Sequence, residues 1–251
     1  MTESTAPPSW GQIIIGAIVG LLLAGWLLVS LAQLANIAKS PGSVEQLRYW
    51  LGFLGALAVG TAVVIYWPPA TPVLLGFSHL IDNMNERIGR VCDWLVLWAC
   101  VVSAANAMVR YAYDISSNSW LELQWYMFAV IVMLGASYTL KKNEHVRVDI
   151  CYMLMTPRQQ LWVDVLGIIF FMLPACVIIG WLSWPFFLQS LHTWEGSSNA
   201  GGLIRWPIKM VVPLGFALLT LQGISELIKR VASLAGHSIP DLEAHYERPV
   251  Q

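Results

Sequence analysis

Charge is scarce in this chain. Only 12% of its 251 residues are Asp, Glu, Lys or Arg, against roughly 25% in soluble domains. Hydrophobic residues make up 57%. This is membrane-protein composition, and it overrides a domain count based on length. The formal net charge of −1 lacks the basic excess of a nucleic-acid binder, so nucleic acid is not an expected partner. Cysteine is sparse too. Cys92, Cys100, Cys151 and Cys176 include no Cys-x-x-Cys pair. Cys92 and Cys100 fall about two turns apart on one helix, too far to bridge. The four read as small apolar side chains in lipid or packing faces. Five histidines (His79, His145, His192, His237 and His245) are scattered, with no His-Glu-x-x-His and no carboxylate cluster near them. No metal, cofactor or enzymatic activity is expected.

Long apolar runs are what the chain has instead. A bilayer core of about 30 Å needs about 20 residues of helix. Gly11–Ala38 carry no charge, and Tyr49–Trp67 form a second run that stops at Pro68-Pro69. A third runs about Val91–Tyr113, with Asp93 and Arg110 near its ends. Leu123–Leu140, Val165–Trp194 and Trp206–Ile228 are the fourth, fifth and sixth. In lipid each segment must satisfy its own backbone polar groups, so each is expected to be helical. The fold class is therefore an all-α integral membrane bundle of about six transmembrane helices. Met1–Trp10 lacks Lys and Arg, and the first run is longer than a signal-peptide core, so a retained helix is expected there.

Tryptophans mark the run ends. Trp10, Trp50, Trp67, Trp94, Trp120, Trp162, Trp194 and Trp206 lie near them, where amphipathic rings favour the headgroup level. Trp67-Pro68 and Trp206-Pro207 fit boundaries, while Pro185 marks a kink or the outer end of the fifth run. Segments 68–90, 141–161 and 229–251, with the N-terminus, hold nine Lys and Arg; the opposite side holds five. The positive-inside rule places the first set, and both termini, in the cytoplasm.

Two connections have the pattern of interfacial amphipathic helices. In 81–91, Ile81, Met84, Ile88 and Val91 share one face, and Asp82, Asn83, Asn85, Glu86, Arg87 and Arg90 fill the other. In 145–156, His145, Asp149, Tyr152 and Thr156 oppose Val146, Ile150, Met153 and Leu154. The second also suits a short strand, and both suit an ordinary loop. The tail from about Ser233 is polar and is expected to be mobile. A charge at mid-bilayer is costly, and almost none is found there. Arg110 lies about one turn from a helix end and can snorkel, and Asn106 is expected to join helices by hydrogen bonding. Gly16-x-x-x-Gly20 and Gly52-x-x-Gly55 permit close helix approach. A carrier that binds its own cargo usually shows repeated halves and broken helices; neither is evident. The chain reads as a membrane subunit that packs against something else. A rival reading, the anchor of a respiratory or redox complex, needs haem ligands at depth on facing helices, and the histidines lie at run edges or in loops.

Between Asn85 and Leu234 several stretches carry a family resemblance. They are ELQWY at Glu122–Tyr126, LGASYTLKKNEHVRVDI at Leu134–Ile150, EGSSNAGG at Glu195–Gly202 and RWPIKMVVPLGFALLTLQG at Arg205–Gly223. Together they resemble the small membrane subunit (DctQ-like) of the tripartite ATP-independent periplasmic (TRAP) transporters, with a looser similarity to the mannitol, chloroaromatic or 2-oxo acid branch. The resemblance implies a four-helix small-permease domain at 79–234, an N-terminal extension at 1–78 with two more helices, and a tail at 235–251. It implies a bacterial inner-membrane protein with two partners, a large permease subunit and a periplasmic substrate-binding protein. In such a system the large subunit carries an organic acid inward, driven by sodium, and the small subunit supports its scaffold. On this reading Lys141, Lys142, Glu144, His145, Arg147 and Asp149 meet lipid headgroups or the partner on the cytoplasmic side. Glu122, Glu195, Gly201, Gly202 and Arg205 are candidates for the binding-protein dock, and Asn106 and Arg110 for helix packing.

Overall fold

An unbroken helical register produces the longest element. In the computed structural model, which describes residues 71–115, 117–144, 152–239 and 242, helix α1 runs Thr71–Tyr113. Its only proline, Pro72, sits in the first turn, where a missing N–H costs nothing. Its 43 residues extend about 65 Å at 1.5 Å per residue, about twice a hydrocarbon core of ~30 Å. Residues 81–91, expected as a separate surface helix, are turns of this one helix.

Helix α2 spans Asn118–Lys142, with Lys141 and Lys142 in its last turn, where cations complement the helix dipole. Asn143 ends it in the left-handed conformation (φ 56°), one that asparagine tolerates. The Asn143 and Glu144 amides donate to the Leu140 and Thr139 carbonyls at 3.0 and 3.3 Å. After a short 3₁₀ turn at Tyr152–Leu154, Thr156 caps α3, Pro157–Gly167. The Thr156 amide donates to Gln159 Oε1 at 2.9 Å, half of a capping box. A π-turn, Ile168–Met172, leads into α4, Leu173–His192. Pro174 explains the widened turn: it has no N–H, and its ring would meet the Phe170 carbonyl in a regular helix. Pro185 lies inside α4, which continues to His192, so it does not end the helix. Helix α5 is Trp206–Leu234, with Pro213 inside it.

The described residues are all-helical, with no strand among them. Four stretches are long and apolar enough to cross a membrane: Leu74–Tyr113, Asn118–Lys142, Pro157–His192 and Trp206–Leu234. They correspond to the last four expected runs. The two N-terminal runs, 11–38 and 49–67, lie outside the described residues, as do 145–151 of the second amphipathic segment and most of the tail.

The chain divides into two compact units. The first holds, among described residues, 71–80, 152–171, 224–239 and 242. Leu161, Ala232, Ile239 and Leu242 form an apolar cluster there, with Leu75 and Leu234 packed on it. The Ser78 and Ser225 hydroxyls meet at 2.7 Å. Arg230 Nε donates to Asp164 Oδ2 at 3.2 Å, its guanidinium also pairs with Glu226, and Tyr152 Oη donates to Asp164 at 3.0 Å. Lys229 pairs with Glu226 at 2.5 Å. Buried charges persist only when matched in this way.

The second unit holds 81–115, 117–144 and 172–223 among described residues. Glycines set its close approaches. A Cβ on Gly89 would lie 2.4 Å from the Tyr138 ring, and one on Gly215 would lie 2.8 Å from the Met133 carbonyl oxygen. The buried side of α1 here carries polar residues beside Ile81 and Cys92. Asn85 Nδ2 donates to Gln222 Oε1 at 2.7 Å, and Gln222 Nε2 donates to Asp82 Oδ1 at 2.9 Å. Asp82 and Asn85 are buried with Ile81, whereas Val91 of the expected apolar face and Asn83, Arg87 and Arg90 of the expected polar face are exposed. Gln222, fully buried on α5, supplies the hydrogen bonds that let Asp82 and Asn85 turn inward.

Candidate functional site

The most elaborate polar structure in the second unit is the connection between α4 and α5, held against the first turns of α2. Asn118, Ser119, Glu122 and Tyr126 recur at spacings that put them on one helix face. Each grips the loop. Asn118 Nδ2 donates to the Ala200 carbonyl at 2.9 Å, and the Ser119 hydroxyl donates to that of Gly201. Tyr126 Oη donates to the Ile204 carbonyl at 3.1 Å. The Glu122 carboxylate accepts three hydrogen bonds: from the Ser197 hydroxyl, from Asn199 Nδ2 at 2.9 Å and from the Leu203 amide at 2.6 Å. A carboxylate with several donors is a strong organiser, because each bond is charge-assisted.

Glycine is required where the loop folds over this carboxylate. A Cβ on Gly202 would fall 2.4 Å from Ser197 Cβ and 2.7 Å from Glu122 Oε1. Gly201 adopts φ 72°, a region that favours glycine. The loop also closes on itself, the Arg205 amide donating to the Glu195 carbonyl at 2.9 Å. Glu195 pairs with Lys209 and lies 3.7 Å from Arg205, whose Nη2 donates to Ser198 at 3.0 Å. The Lys209 hydrogen bond holds the Glu195 carboxyl below the usual carboxylate range.

Five of the residues expected to receive a binding protein thus sit together: Glu122, Glu195, Gly201, Gly202 and Arg205. Their roles differ. Glu122 is 5% exposed and shapes the loop from within. The exposed surface includes Trp194, Ser198, Asn199, Ala200, Gly201 and Ile204. Sequence reasoning missed Asn118 and Ser119; the signal was their spacing from Glu122 on the opening turns of α2.

At the other end of α2, Lys141 is engaged within the chain. Its ammonium meets Glu86 at 2.6 Å and the Asp82 carbonyl at 3.2 Å. Lys142 lies 5.7 Å from the centre of the Tyr138 ring, and Glu144 is exposed. His145, Arg147 and Asp149 lie outside the described residues. Asn106 is half-buried and Arg110 is exposed on α1; among the described residues neither is joined to another by a hydrogen bond or ion pair.

A family model described as "Tripartite ATP-independent periplasmic transporters, DctQ component" matches residues 99–233, more than half of the chain. The chain belongs to the DctQ family. It is a small membrane subunit of a TRAP transporter, which is a transporter component and not an enzyme family. The DctQ match takes in the whole loop clamp from Asn118 to Lys209. Searches of curated proteins and of solved structures returned no match.

Proposed function

We propose that this chain braces a sodium-driven importer of organic acids in the bacterial inner membrane, with both termini cytoplasmic. It supports the large permease subunit through its membrane helices and helps to seat the periplasmic binding protein on the clamped loop at 193–205. One observation carries the bracing role. Only 6% of the most apolar window of α1, and 6% of that of α2, is buried within the chain, against 50% for α5. Trp94, Trp98, Trp125 and Phe128 are among the side chains left exposed. So much apolar surface is covered by lipid and by a membrane partner. The loop suits docking because its backbone is fixed in advance by Glu122, which lowers the ordering cost of binding. Orientation follows from the excess of Lys and Arg on the side of the termini.

Reconstitution tests this. Liposomes holding the large permease, this chain and the binding protein are expected to take up a labelled organic acid when a sodium gradient is imposed. Liposomes with this chain alone should take up none, and leaving it out of the complete system should abolish uptake. Uptake by this chain alone, or undiminished uptake without it, would overturn the proposal.

A further inference from the structure

Between α1 and α2, inside the second unit, a groove of about 400 Å³ opens to the outside. Its walls include Asp93, Val96, Val132, Gly135, Ala136 and Tyr138. At one end the helices touch, because the Tyr138 ring packs directly on Gly89. One turn along, Gly135 offers no side chain, and a Cβ built there would meet nothing within 4 Å. Gly135 thus leaves part of the groove wall without a side chain.

Its polar feature is Asp93. This carboxylate is exposed on a helix whose neighbouring Trp94, Leu97 and Trp98 are exposed apolar side chains. No ion pair among the described residues includes it. About 30 Å of helix separates Asp93 from Tyr113 at 1.5 Å per residue, the thickness of a hydrocarbon layer, so a layer that ends at Tyr113 has Asp93 at its other edge. Lys and Arg cluster at the cytoplasmic ends of membrane helices in general, which makes a cation at this depth available on a neighbouring protein. Phosphate headgroups, by contrast, are repelled by a carboxylate.

We propose that this groove seats a membrane helix of the large permease subunit, which crosses α2 at Gly135 and presents a lysine or arginine to Asp93. The inference rests on the bracing role proposed above and adds the place and chemistry of the contact. The small residues admit a close helix approach, and the ion pair fixes its register and depth.

The test uses the full chain, affinity-tagged and co-expressed with the large permease and the binding protein. Asp93→Lys and Gly135→Trp are each expected to lower recovery of the large subunit by about tenfold or more, through like-charge repulsion and blockage of the groove. Asp93→Asn should lower it less. The thermal midpoint of the isolated subunit should not fall. If a variant fails to fold, Gly135→Cys decides: a thiol-specific crosslinker should join it to the large subunit. Wild-type recovery in both Asp93→Lys and Gly135→Trp, or no crosslink from position 135, overturns the groove assignment and leaves the bracing role intact. So does native mass spectrometry showing a phospholipid that Gly135→Trp expels without loss of the large subunit. Failure of the wild-type chain to recover any large subunit overturns both.

Discussion

Replacing Gly215 by alanine sets two effects against each other. Alanine favours a helix over glycine by about 0.8–1 kcal/mol. At Gly215, however, the new Cβ would lie 2.8 Å from the Met133 carbonyl oxygen and 2.9 Å from Met133 Cβ. That oxygen belongs to the backbone of α2 and cannot swing aside as a side chain can. Overpacking of this kind costs about 1–3 kcal/mol, so Gly215→Ala should be net destabilising, by up to about 2 kcal/mol. Gly135→Ala is the control. Its Cβ would meet nothing within 4 Å, so the propensity gain stands alone and the chain should be stabilised by up to about 1 kcal/mol. The two variants make the same chemical change yet should differ by about 1–3 kcal/mol. Reversible unfolding of the detergent-solubilised chain in a denaturing-detergent series, followed by far-ultraviolet circular dichroism, reads the difference. Equal shifts for the two glycines would refute the reasoning, because close α2–α5 packing would then have no energetic consequence. Met133 is eleven residues from Glu122 on the same helix, so Gly215→Ala should also loosen the clamp.

Gln222→Leu removes a donor from Asp82 and the acceptor of Asn85, and losing buried hydrogen bonds of this kind costs about 1–3 kcal/mol. Its unfolding midpoint should fall well below wild type, and a double Asn85→Leu, Gln222→Leu variant should recover part of the loss; a silent single variant contradicts the buried network. For Glu195 the prediction concerns pH. The neighbouring Lys209 ammonium depresses its carboxyl, so the tether is fully present above the unfolded-state pKa of about 4.3. It is lost as pH falls through the lower folded-state value. Hydrogen exchange of amides 195–205, corrected for its intrinsic pH dependence, should stay slow to well below that pKa, and Glu195→Gln should speed it at neutral pH. Unchanged protection in Glu195→Gln would show that the pairing does not restrain the loop.

The four described apolar helices were legible because their signals are local. Charge-free runs, flanking tryptophans and the Trp206-Pro207 step each depend on adjacent residues, and α2 and α5 extend only a few residues beyond the expected runs. The loop cluster was legible in membership and not in roles. Glu122 lies 75 residues from Ser197, so nothing in its neighbourhood shows that three loop donors turn it inward. The same limit explains 81–91. Its alternation of polar and apolar residues suits a surface helix until Gln222, 140 residues from Asp82, offers partners to Asp82 and Asn85. The π-turn before Pro174 had a visible cause in that proline, which the charge-free run from Val165 to Trp194 hid.

In the proposed function, the translocation path lies in another subunit. A cryo-electron-microscopy structure of the assembled transporter with organic acid and sodium bound tests this most directly. The predicted result is density for cargo and cation wholly within the large subunit, with α1 to α5 packed against its scaffold. Cargo or cation lodged among these helices, or an assembly in which they touch no permease, would contradict it.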